Sequence, residues 1–286
     1  MSADKIAPKI SGNKNREKVT PASPIGVFDS GVGGLTVLRQ IMQKLPHEDV
    51  IYLADTARIP YGGRSPQEII KINNEIIPFL IEQGAKLIMM ACGTSSAIAY
   101  PEVKDKYPIE MINLIDPGSR AAVEATRSGK IGIMATAGTI NSGAFQQAIK
   151  GLDEKAQAEA IACPLFVPLI EGGFIEADET KRVAKEYLKP LLAAGIDTLI
   201  LGCTHYPHLR KVLQKLAGKE VVLVDPAEEA VADTKKLLKF AGTLKSRGGQ
   251  PRYEYFVTGP ELHFQDLGSR LLGKPIVSVK QVKLPG

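Results

Sequence analysis

Two cysteines stand at matching positions in the chain. Cys92 ends the segment 84–92 and Cys203 ends the segment 195–203, and the distance from the first glycine to the cysteine is eight residues in each. A threonine follows each cysteine within two residues. A single cysteine after a buried strand is usually a small core residue. The matched pair instead favours two thiols that serve one site and exchange a proton with a substrate from opposite faces.

Each of these cysteines also precedes the predicted start of a helix. Two serines shortly after Cys92 begin one predicted helix, and Pro207 stands at the start of the other, shortly after Cys203. A helix N-terminus carries free N–H donors and a partial positive charge, which lower a thiol pKa from about 8.5 towards neutrality. We therefore expect both thiols to be reactive. Cys163 precedes a proline in an apolar run and is interpreted as structural.

Three further residues could assist the thiols as acids or bases. Asp29 follows the first apolar run, and the end of a strand is where α/β proteins bind ligands. His205 follows Cys203 by two residues, and its unperturbed pKa of about 6.5 suits proton exchange at neutral pH. Glu171 follows a later apolar run, and its position fits equally a solvated loop carboxylate or a second acid beside His205.

A dinucleotide site is weakly supported. Gly31, Gly33 and Gly34 resemble part of a dinucleotide-binding loop, but Thr36 stands where that pattern needs its last glycine. These glycines are expected instead to let backbone amides approach a small anionic substrate.

A metal site is also weakly supported. Cys203, His205 and His208 could ligate a metal ion, but no second cluster of ligands accompanies them in the sequence. Catalytic zinc uses three protein ligands. We therefore predict no metal, and we interpret His208 as a surface or packing residue.

The chain that positions these residues alternates short apolar runs with longer amphipathic stretches from Pro24 onward. Such alternation predicts parallel sheets covered by helices on both faces. The predicted strands are 25–28, 50–53, 86–91, 109–114, 130–135, 160–163, 198–201 and 221–224. The predicted helices include 66–83, 117–128 with Asp116 as its N-cap, 178–194 and 226–240.

An internal repeat organises these elements. The first apolar run, 25–28, recurs as 131–134 with a glycine in second place in each. Together with the repeated glycine-to-cysteine segments, this indicates a duplicated half. The predicted fold is α/β, with two similar flavodoxin-like domains that contain central parallel sheets and are related by a pseudo-two-fold axis. Both cysteines would then lie at the carboxyl ends of strands and face one cleft.

Composition and charge narrow the setting in which the protein acts. Three widely spaced cysteines do not form a disulfide framework, so we expect a reduced, cytoplasmic protein. The longest apolar runs are far too short to cross a membrane.

Residues 1–24 hold five basic and two acidic residues and no apolar core of a secretory signal, and we predict a basic, disordered tail there. A nucleic-acid-binding arm is the alternative, but aromatic residues do not accompany the charges, so we predict no nucleic-acid partner.

Four motifs in order give the chain a specific resemblance. From about Ile25 to about Lys274 it resembles the glutamate racemases of the aspartate/glutamate racemase family, through Asp29-Ser30-Gly31-Val32-Gly33-Gly34-Leu35-Thr36, Asp55-Thr56-Ala57-Arg58 with Pro60-Tyr61-Gly62, Ala91-Cys92, and Leu201-Gly202-Cys203-Thr204-His205-Tyr206-Pro207. The resemblance implies racemisation of glutamate without a cofactor or metal, and supply of D-glutamate for peptidoglycan. It also implies a homodimer and two α/β domains, the first formed by residues 25–115 plus 226–286 and the second by 116–225.

The resemblance also implies a role for individual residues. Cys92 would deprotonate D-glutamate with the assistance of Asp29. Cys203 would deprotonate L-glutamate with the assistance of His205 and Glu171. The residues that would hold the substrate are Asp29, Ser30, Tyr61, Gly62, Gly93, Thr94, Thr204 and His205, with Thr139 a weaker candidate.

One position departs from the family pattern. Family members usually have asparagine directly after the first cysteine, and this chain has Gly93. Loss of one hydrogen bond to the substrate costs about 0.5–1.5 kcal/mol, and up to about 3 kcal/mol where a charged group is left unpaired. We expect activity because both cysteines, Asp29 and His205 are present. The alternatives are a related racemase with another substrate, such as aspartate, and a weakly active or regulatory paralogue.

Overall fold

The computed structural model describes residues 19–285. The chain forms parallel strands that alternate with helices, and the predicted α/β class is confirmed. The strands are β1 (Ile25–Asp29), β2 (Val50–Ala54), β3 (Leu87–Met90), β4 (Met111–Ile112), β5 (Lys130–Ala135), β6 (Gln157–Ala162), β7 (Thr198–Leu201), β8 (Val222–Val224), β9 (Tyr253–Val257) and β10 (Val279–Gln281).

These strands form two sheets. The larger sheet has the order β10-β9-β2-β1-β3-β4, and the smaller sheet has the order β6-β5-β7-β8. All recorded pairings are parallel, with Ile25 in register with both Val50 and Leu87 in the larger sheet. In the smaller sheet Ile131 is in register with Thr198. In each sheet the repeated apolar run therefore forms an inner strand, which is β1 in the larger sheet and β5 in the smaller sheet.

Helices cover both sheets. They are α1 (Leu35–Lys44), α2 (Pro66–Glu82), α3 (Gly93–Ile98), α4 (Tyr100–Val103), α5 (Ile115–Ala125), α6 (Ala137–Asn141), α7 (Ala144–Leu152), α8 (Phe166–Glu171), α9 (Asp178–Ala193), α10 (Arg210–Ala217), α11 (Pro226–Phe240) and α12 (Glu261–Leu272). Short 3₁₀ helices lie at Thr56–Arg58, Tyr61–Gly63 and Tyr206–Leu209. None of the helices within residues 19–285 has both the length and the apolar character needed to span a membrane.

The repeated glycine of the two central strands has a packing reason. A Cβ added at Gly26 would lie 3.0 Å from the Ala85 Cβ, and one added at Gly132 would lie 2.5 Å from the Ile196 Cδ1. Each glycine thus lets the segment that leads into the neighbouring strand of its sheet, β3 or β7, pack directly against the central strand. One apolar core cluster includes Val27 of the larger sheet and Leu199 of the smaller sheet, so the packing is continuous between the two halves.

Several boundaries differ from the sequence prediction. The predicted strand 109–114 shrinks to two residues, and the predicted helix 117–128 begins at Ile115. Asp116 is not the N-cap, because the Asn113 Oδ1 accepts hydrogen bonds from the backbone N–H groups of Ile115 and Asp116. The apolar run before Glu171 forms α8.

The C-terminal part of the chain supplies two strands that the apolar pattern did not predict. β9 begins with the alternating sequence Tyr-Glu-Tyr, and β10 is three residues long and mostly exposed. β9 pairs with β2 and β10 pairs with β9, so the chain returns to the larger sheet. The domain boundaries at 115/116 and 225/226 remain a prediction.

Of the predicted basic tail, residues 1–18 lie outside the described residues. The remaining residues, 19–24, form a turn in which the Ser23 N–H donates to the Thr20 carbonyl. The Pro21 carbonyl accepts a hydrogen bond from the Lys86 ammonium at 3.1 Å.

Lys86 is the centre of a buried polar cluster at the amino end of the larger sheet. Its Nζ donates to the Glu48 Oε2 at 2.5 Å and to the Thr243 carbonyl at 2.8 Å, and the side chains of Lys86 and Glu48 are 0% and 1% exposed. Burial lowers the pKa of Lys86, and the Glu48 carboxylate opposes that shift. The other Glu48 oxygen accepts from the backbone N–H of Lys245. The cluster therefore fastens the segment before β9 to the first half of the chain.

Replacement of Lys86 by methionine is expected to lower the free energy of unfolding by about 3 kcal/mol or more, because it leaves the Glu48 carboxylate buried without its cation. The matched control is Arg127→Met, whose partner is the exposed Glu220 (side chains 69% and 72% exposed). That change should cost less than about 1 kcal/mol. Urea unfolding of the three proteins measures the difference, and equal small losses would contradict the assignment.

Candidate active site

A cavity of about 550 Å³ lies between the two sheets. The carboxyl ends of β1, β3, β5 and β7 lead into it, which is where parallel α/β sheets bind ligands. It is lined by Asp29, Ser30, Gly31, Ile59, Pro60, Tyr61, Gly62, Gly63, Cys92, Gly93, Thr94, Thr136, Ala137, Pro164, Val167, Pro168, Glu171, Gly202, Cys203, Thr204 and His205. We call this cavity the cleft. It gathers every residue predicted to be catalytic or substrate-binding except the weaker candidate, Thr139.

Cys92 enters the cleft between β3 and α3, as the residue that caps α3. Its side chain is buried, and burial together with the negative charge of Asp29 raises the pKa of the thiol to about 12. Hydrogen bonds from Ser95 oppose this shift but do not overcome it. The expectation that a helix N-terminus lowers this pKa is therefore wrong for Cys92, because burial and the Asp29 carboxylate raise the pKa by more than the hydrogen bonds from Ser95 at the start of α3 lower it. Cys92 is a neutral thiol at pH 7.

Cys203 enters the cleft after β7 and has a different partner. Its Sγ lies 3.8 Å from the Nδ1 of His205, and the Nε2 of His205 lies 2.9 Å from the Oε1 of Glu171. Glu171 was interpreted either as a solvated loop carboxylate or as an acid beside His205, and this contact supports the second interpretation. Glu171 ends α8, and its carbonyl accepts a hydrogen bond from the Arg270 guanidinium.

The protonation of His205 follows from these neighbours. Burial lowers the pKa of His205, but its hydrogen bonds to Cys203 and Glu171 and the charge of Asp29 outweigh burial and raise the pKa to about 10. The expected titration near pH 6.5 is therefore wrong. His205 is an imidazolium at neutral pH, so the cleft presents one thiol beside a carboxylate and one beside a cation.

Asp29 is held by the glycine loop that follows β1. Its Oδ2 accepts hydrogen bonds from the backbone N–H groups of Gly31 at 3.0 Å and Gly34 at 3.1 Å. Burial raises the pKa of Asp29, while the positive charge of His205 and these backbone N–H groups lower it, and the net shift is upward. The prediction that these glycine amides reach out to a substrate is wrong for Gly31 and Gly34, because both amides are used by Asp29.

The glycine loop also contacts the second half of the chain. A Cβ added at Gly33 would lie 2.5 Å from the His205 ring and from the Thr204 Oγ1, so only glycine fits there. The Thr36 hydroxyl donates to the Thr204 carbonyl at 2.8 Å. The loop therefore positions Asp29 and supports the Thr204–His205 segment at the same time.

Tyr61 forms part of the cleft wall, and a hydrogen bond to the buried Asp55 fixes its side chain. Its hydroxyl donates to the Asp55 Oδ2 at 2.5 Å, and Asp55 is fully buried. The Thr258 hydroxyl donates to the other Asp55 oxygen at 2.7 Å, and the Arg58 Nε donates to Oδ2 at 2.7 Å. Burial and the nearby Asp55 raise the pKa of Tyr61 well above its usual value. The phenol hydroxyl is thus committed to Asp55, and Gly62 follows it into the cleft wall.

Three threonine hydroxyls meet where the two halves touch. The Thr94 Oγ1 lies 3.1 Å from that of Thr136 and 3.5 Å from that of Thr139, and the last two lie 3.0 Å apart. Thr136 lines the cleft, whereas Thr139 lies behind it. The sequence analysis missed Thr136, although the repeat of β1 in β5 makes it the equivalent of Ser30, one residue after the end of its strand.

The apolar wall of the cleft was also missed in part. Ile59, Pro60, Pro164, Val167 and Pro168 line it. A sequence pattern does not distinguish an apolar residue that faces a ligand from one that faces the core, so only the structure identifies this wall.

The remaining candidates lie outside the cleft lining. Cys163 is fully buried, and its carbonyl accepts a hydrogen bond from the Tyr206 hydroxyl at 2.9 Å, which fits a structural residue. Burial and the positive charges of Arg39 and His205 lower the pKa of His208 to about 4. Within residues 19–285, no three side chains of His, Cys, Asp or Glu are grouped in a way that could hold a metal ion.

The fold and the site together define an α/β enzyme whose cleft holds one thiol from each of two parallel sheets. The family model of the Asp/Glu/Hydantoin racemases matches residues 25–234. The glutamate racemase of Geobacter metallireducens is 43% identical over 264 residues, which is 92% of this chain and 98% of that protein.

Two solved structures are closely similar. One is a glutamate racemase isoform from Bacillus anthracis, with a TM-score of 0.88, 38% identity and coverage of 92% of this chain and 98% of that chain. The other is glutamate racemase from Francisella tularensis in complex with D-glutamate, with a TM-score of 0.86, 37% identity and the same coverage. The chain belongs to the Asp/Glu/Hydantoin racemase family. It is an isomerase, and the resemblance predicted from its motifs is confirmed.

Replacement of Glu171 by glutamine is expected to lower the pKa of His205 by between about one and three units, because a carboxylate in contact with an imidazolium favours the charged form. In the parent protein the pKa of His205 is about 10, above the usual 6.5 of a histidine in an unfolded chain. The interactions of the charged ring therefore stabilise the fold fully below pH 6.5. This contribution to the free energy of unfolding is lost as the pH rises through 10. NMR titration of the histidine ring signals measures the shift.

The control for this titration is Glu176→Gln, which removes an exposed carboxylate from the segment after α8 and should leave the His205 titration unchanged. A His205 signal that titrates near pH 6.5 in both the parent and Glu171→Gln would contradict the assignment.

Proposed function

We propose that this protein interconverts L- and D-glutamate by proton transfer between two cysteines, without a cofactor. The observation that carries the proposal is that Cys92 and Cys203 come from different sheets, line the same cleft and have partners of opposite charge. Its similarity over nearly the whole chain to glutamate racemases supports glutamate as the substrate. Aspartate is the alternative substrate.

In the direction from L- to D-glutamate, Cys203 acts first. We propose that its thiolate, paired with the His205 imidazolium, takes the α-proton, while the neutral Cys92 thiol gives a proton to the opposite face of the carbon. One C–H bond breaks and one forms, and the proton gained by Cys203 equals the proton lost by Cys92. Glu171 keeps His205 charged and oriented through its contact at 2.9 Å.

In the reverse direction Cys92 must lose its proton before it can act as a base. Its pKa of about 12 makes this loss unfavourable without an acceptor. Asp29 is buried near this thiol, and burial raises its own pKa, which makes it a better proton acceptor than an exposed carboxylate. We therefore propose that Asp29 receives the Cys92 proton when D-glutamate is bound, and that the His205 imidazolium passes its proton to the Cys203 thiolate. The Cys92 thiolate then takes the α-proton, and the Cys203 thiol gives its proton to the opposite face of the carbon.

The cleft must also stabilise the carbanion that forms between the two thiols. We propose that backbone amides near Ser30, Gly93, Thr94 and Thr204 hold the α-carboxylate as negative charge develops on it. Such contacts accelerate the reaction only if they are stronger in the transition state than with the substrate. The apolar wall excludes water and so strengthens them.

The resemblance suggests the cellular setting of this reaction. We infer that the protein acts in the cytoplasm as a homodimer and supplies D-glutamate for peptidoglycan. A weakly active or regulatory paralogue remains the second candidate, because Gly93 replaces the usual asparagine.

Incubation of the protein with L- or D-glutamate in D₂O, without added cofactor, tests the proposal. Inversion and incorporation of deuterium at Cα should appear together with either enantiomer, because each turnover replaces the α-hydrogen. Circular dichroism follows inversion and mass spectrometry follows deuterium. Absence of both with glutamate, together with turnover of aspartate, would transfer the proposal to the alternative substrate; absence with both amino acids would contradict it.

The two cysteine variants resolve the directions of transfer. Cys92→Ser should slow loss of the α-proton from D-glutamate by about a hundredfold or more, and Cys203→Ser should do the same for L-glutamate, since a serine hydroxyl is a much weaker base. Cys163→Ser is the control for loss of a buried thiol outside the cleft and should retain the parent rates. Equal, mild effects of Cys92→Ser and Cys203→Ser on both enantiomers would count against separate roles.

A further inference from the structure

Gly93 lies where the carboxyl ends of the two sheets are in close contact. A Cβ added at Gly93 would lie 2.6 Å from the backbone carbonyl oxygen of Gly202 and 3.6 Å from the Thr139 Oγ1. Real Cβ atoms do not approach another atom within 3.0 Å. Gly93 directly follows Cys92, and Gly202 directly precedes Cys203, so this contact joins the two residues next to the thiols.

The carbonyl of Gly202 has little freedom to retreat from a side chain at position 93. The Gly202 N–H donates to the Met134 carbonyl at 2.7 Å, which fixes this residue to the smaller sheet. On its other side, an added Cβ would lie 2.9 Å from the Phe145 ring and 3.0 Å from the Ala135 Cβ. Gly202 is therefore packed against its own sheet.

Gly93 has as little freedom on the side of the larger sheet. The backbone N–H of Ser96 donates to the Cys92 carbonyl at 2.8 Å, and the Ser96 hydroxyl donates to the Met90 carbonyl at 2.9 Å. These bonds fix the start of α3 to the end of β3. A side chain at Gly93 must therefore separate the two sheet ends rather than displace one loop.

A second contact between the halves is similarly close. A Cβ added at Gly138 would lie 3.0 Å from the Gly62 carbonyl oxygen and 3.2 Å from the Thr94 Cγ2. The three hydroxyls of Thr94, Thr136 and Thr139 meet beside it. The close approach at Gly93 thus belongs to a tight interface of two contacts and is not a single local coincidence.

We propose that Gly93 is a positioning residue whose missing side chain lets the strand ends that carry Cys92 and Cys203 approach each other closely enough to serve one carbon atom. The Thr139 hydroxyl, 3.6 Å from the added Cβ, already supplies a polar group at the place that an amide side chain at position 93 would enter. This inference rests on the proposed two-thiol reaction. Its consequence is that asparagine at position 93, the usual residue of the family, impairs this chain instead of restoring a lost contact.

Gly93→Ala and Gly93→Asn test this inference, with Gly151→Ala as the control. Gly151 lies in α7, and a Cβ added there meets no atom within 4 Å. Gly93→Ala should lower kcat by between about tenfold and a hundredfold, because a displacement of about 1 Å at reacting groups has an effect of that size. The fall in kcat should exceed any rise in KM. Gly93→Asn should lose at least as much, and Gly151→Ala should match the parent.

Crystal structures of the same variants give a readout that does not depend on turnover. The separation of the Cys92 and Cys203 sulfur atoms should be larger in Gly93→Ala than in the parent. An unchanged separation with parental kcat, or a gain in activity in Gly93→Asn, would overturn the inference. If the parent does not turn over glutamate, the proposed function fails, while the sulfur separation still decides the packing role of Gly93.

Gly138→Ala keeps the test decisive if the Gly93 variants do not fold. Gly138 faces the same interface from the smaller sheet and has slightly more room. Its alanine variant should widen the sulfur separation and lower kcat in the same direction as Gly93→Ala, but by less. Parental kcat and parental separation in Gly138→Ala would overturn the inference.

Discussion

Opposite charges beside two buried thiols are the constraint on which the rest of the site depends. Cys92 faces the Asp29 carboxylate, and Cys203 faces the His205 imidazolium. Two identical side chains therefore lie in opposite electrostatic surroundings within one cleft. Glu171 and the glycine loop after β1 maintain this difference, because the first keeps His205 charged and the second holds Asp29.

The fold meets this constraint through close packing between two sheets. Each thiol follows a strand that pairs with the central strand of its sheet, so its position is fixed by a parallel ladder. Where the halves meet, glycines at positions 33, 62, 93 and 138 replace side chains that would hold the halves apart. The C-terminal strands and the buried Lys86 cluster complete the larger sheet that carries Cys92.

The sequence predicted the parts of this arrangement that depend on local pattern. Apolar runs and glycines placed eight of the ten strands within residues 19–285, and the repeat brought Cys92 and Cys203 to equivalent strand ends. β9 and β10 were missed because β9 begins with an alternating pattern and β10 is short and mostly exposed, so neither has the continuous apolar run of a buried parallel strand. The upward shift of the His205 pKa was missed for another reason. It depends on hydrogen bonds to Cys203 and Glu171 and on the charge of Asp29, and Glu171 and Asp29 are so distant in sequence that no local spacing reveals them.

A crystal structure of the protein with D-glutamate bound tests the central claim most directly. The account predicts that the α-carbon lies between the two sulfur atoms, each at about 3–3.5 Å, with the hydrogen directed at Cys92. The carboxylate at Cα should face the backbone amides near Thr94 and Thr204. A ligand bound in the cleft with both sulfur atoms on the same side of the α-carbon, or with either one out of reach of it, would contradict the two-thiol mechanism.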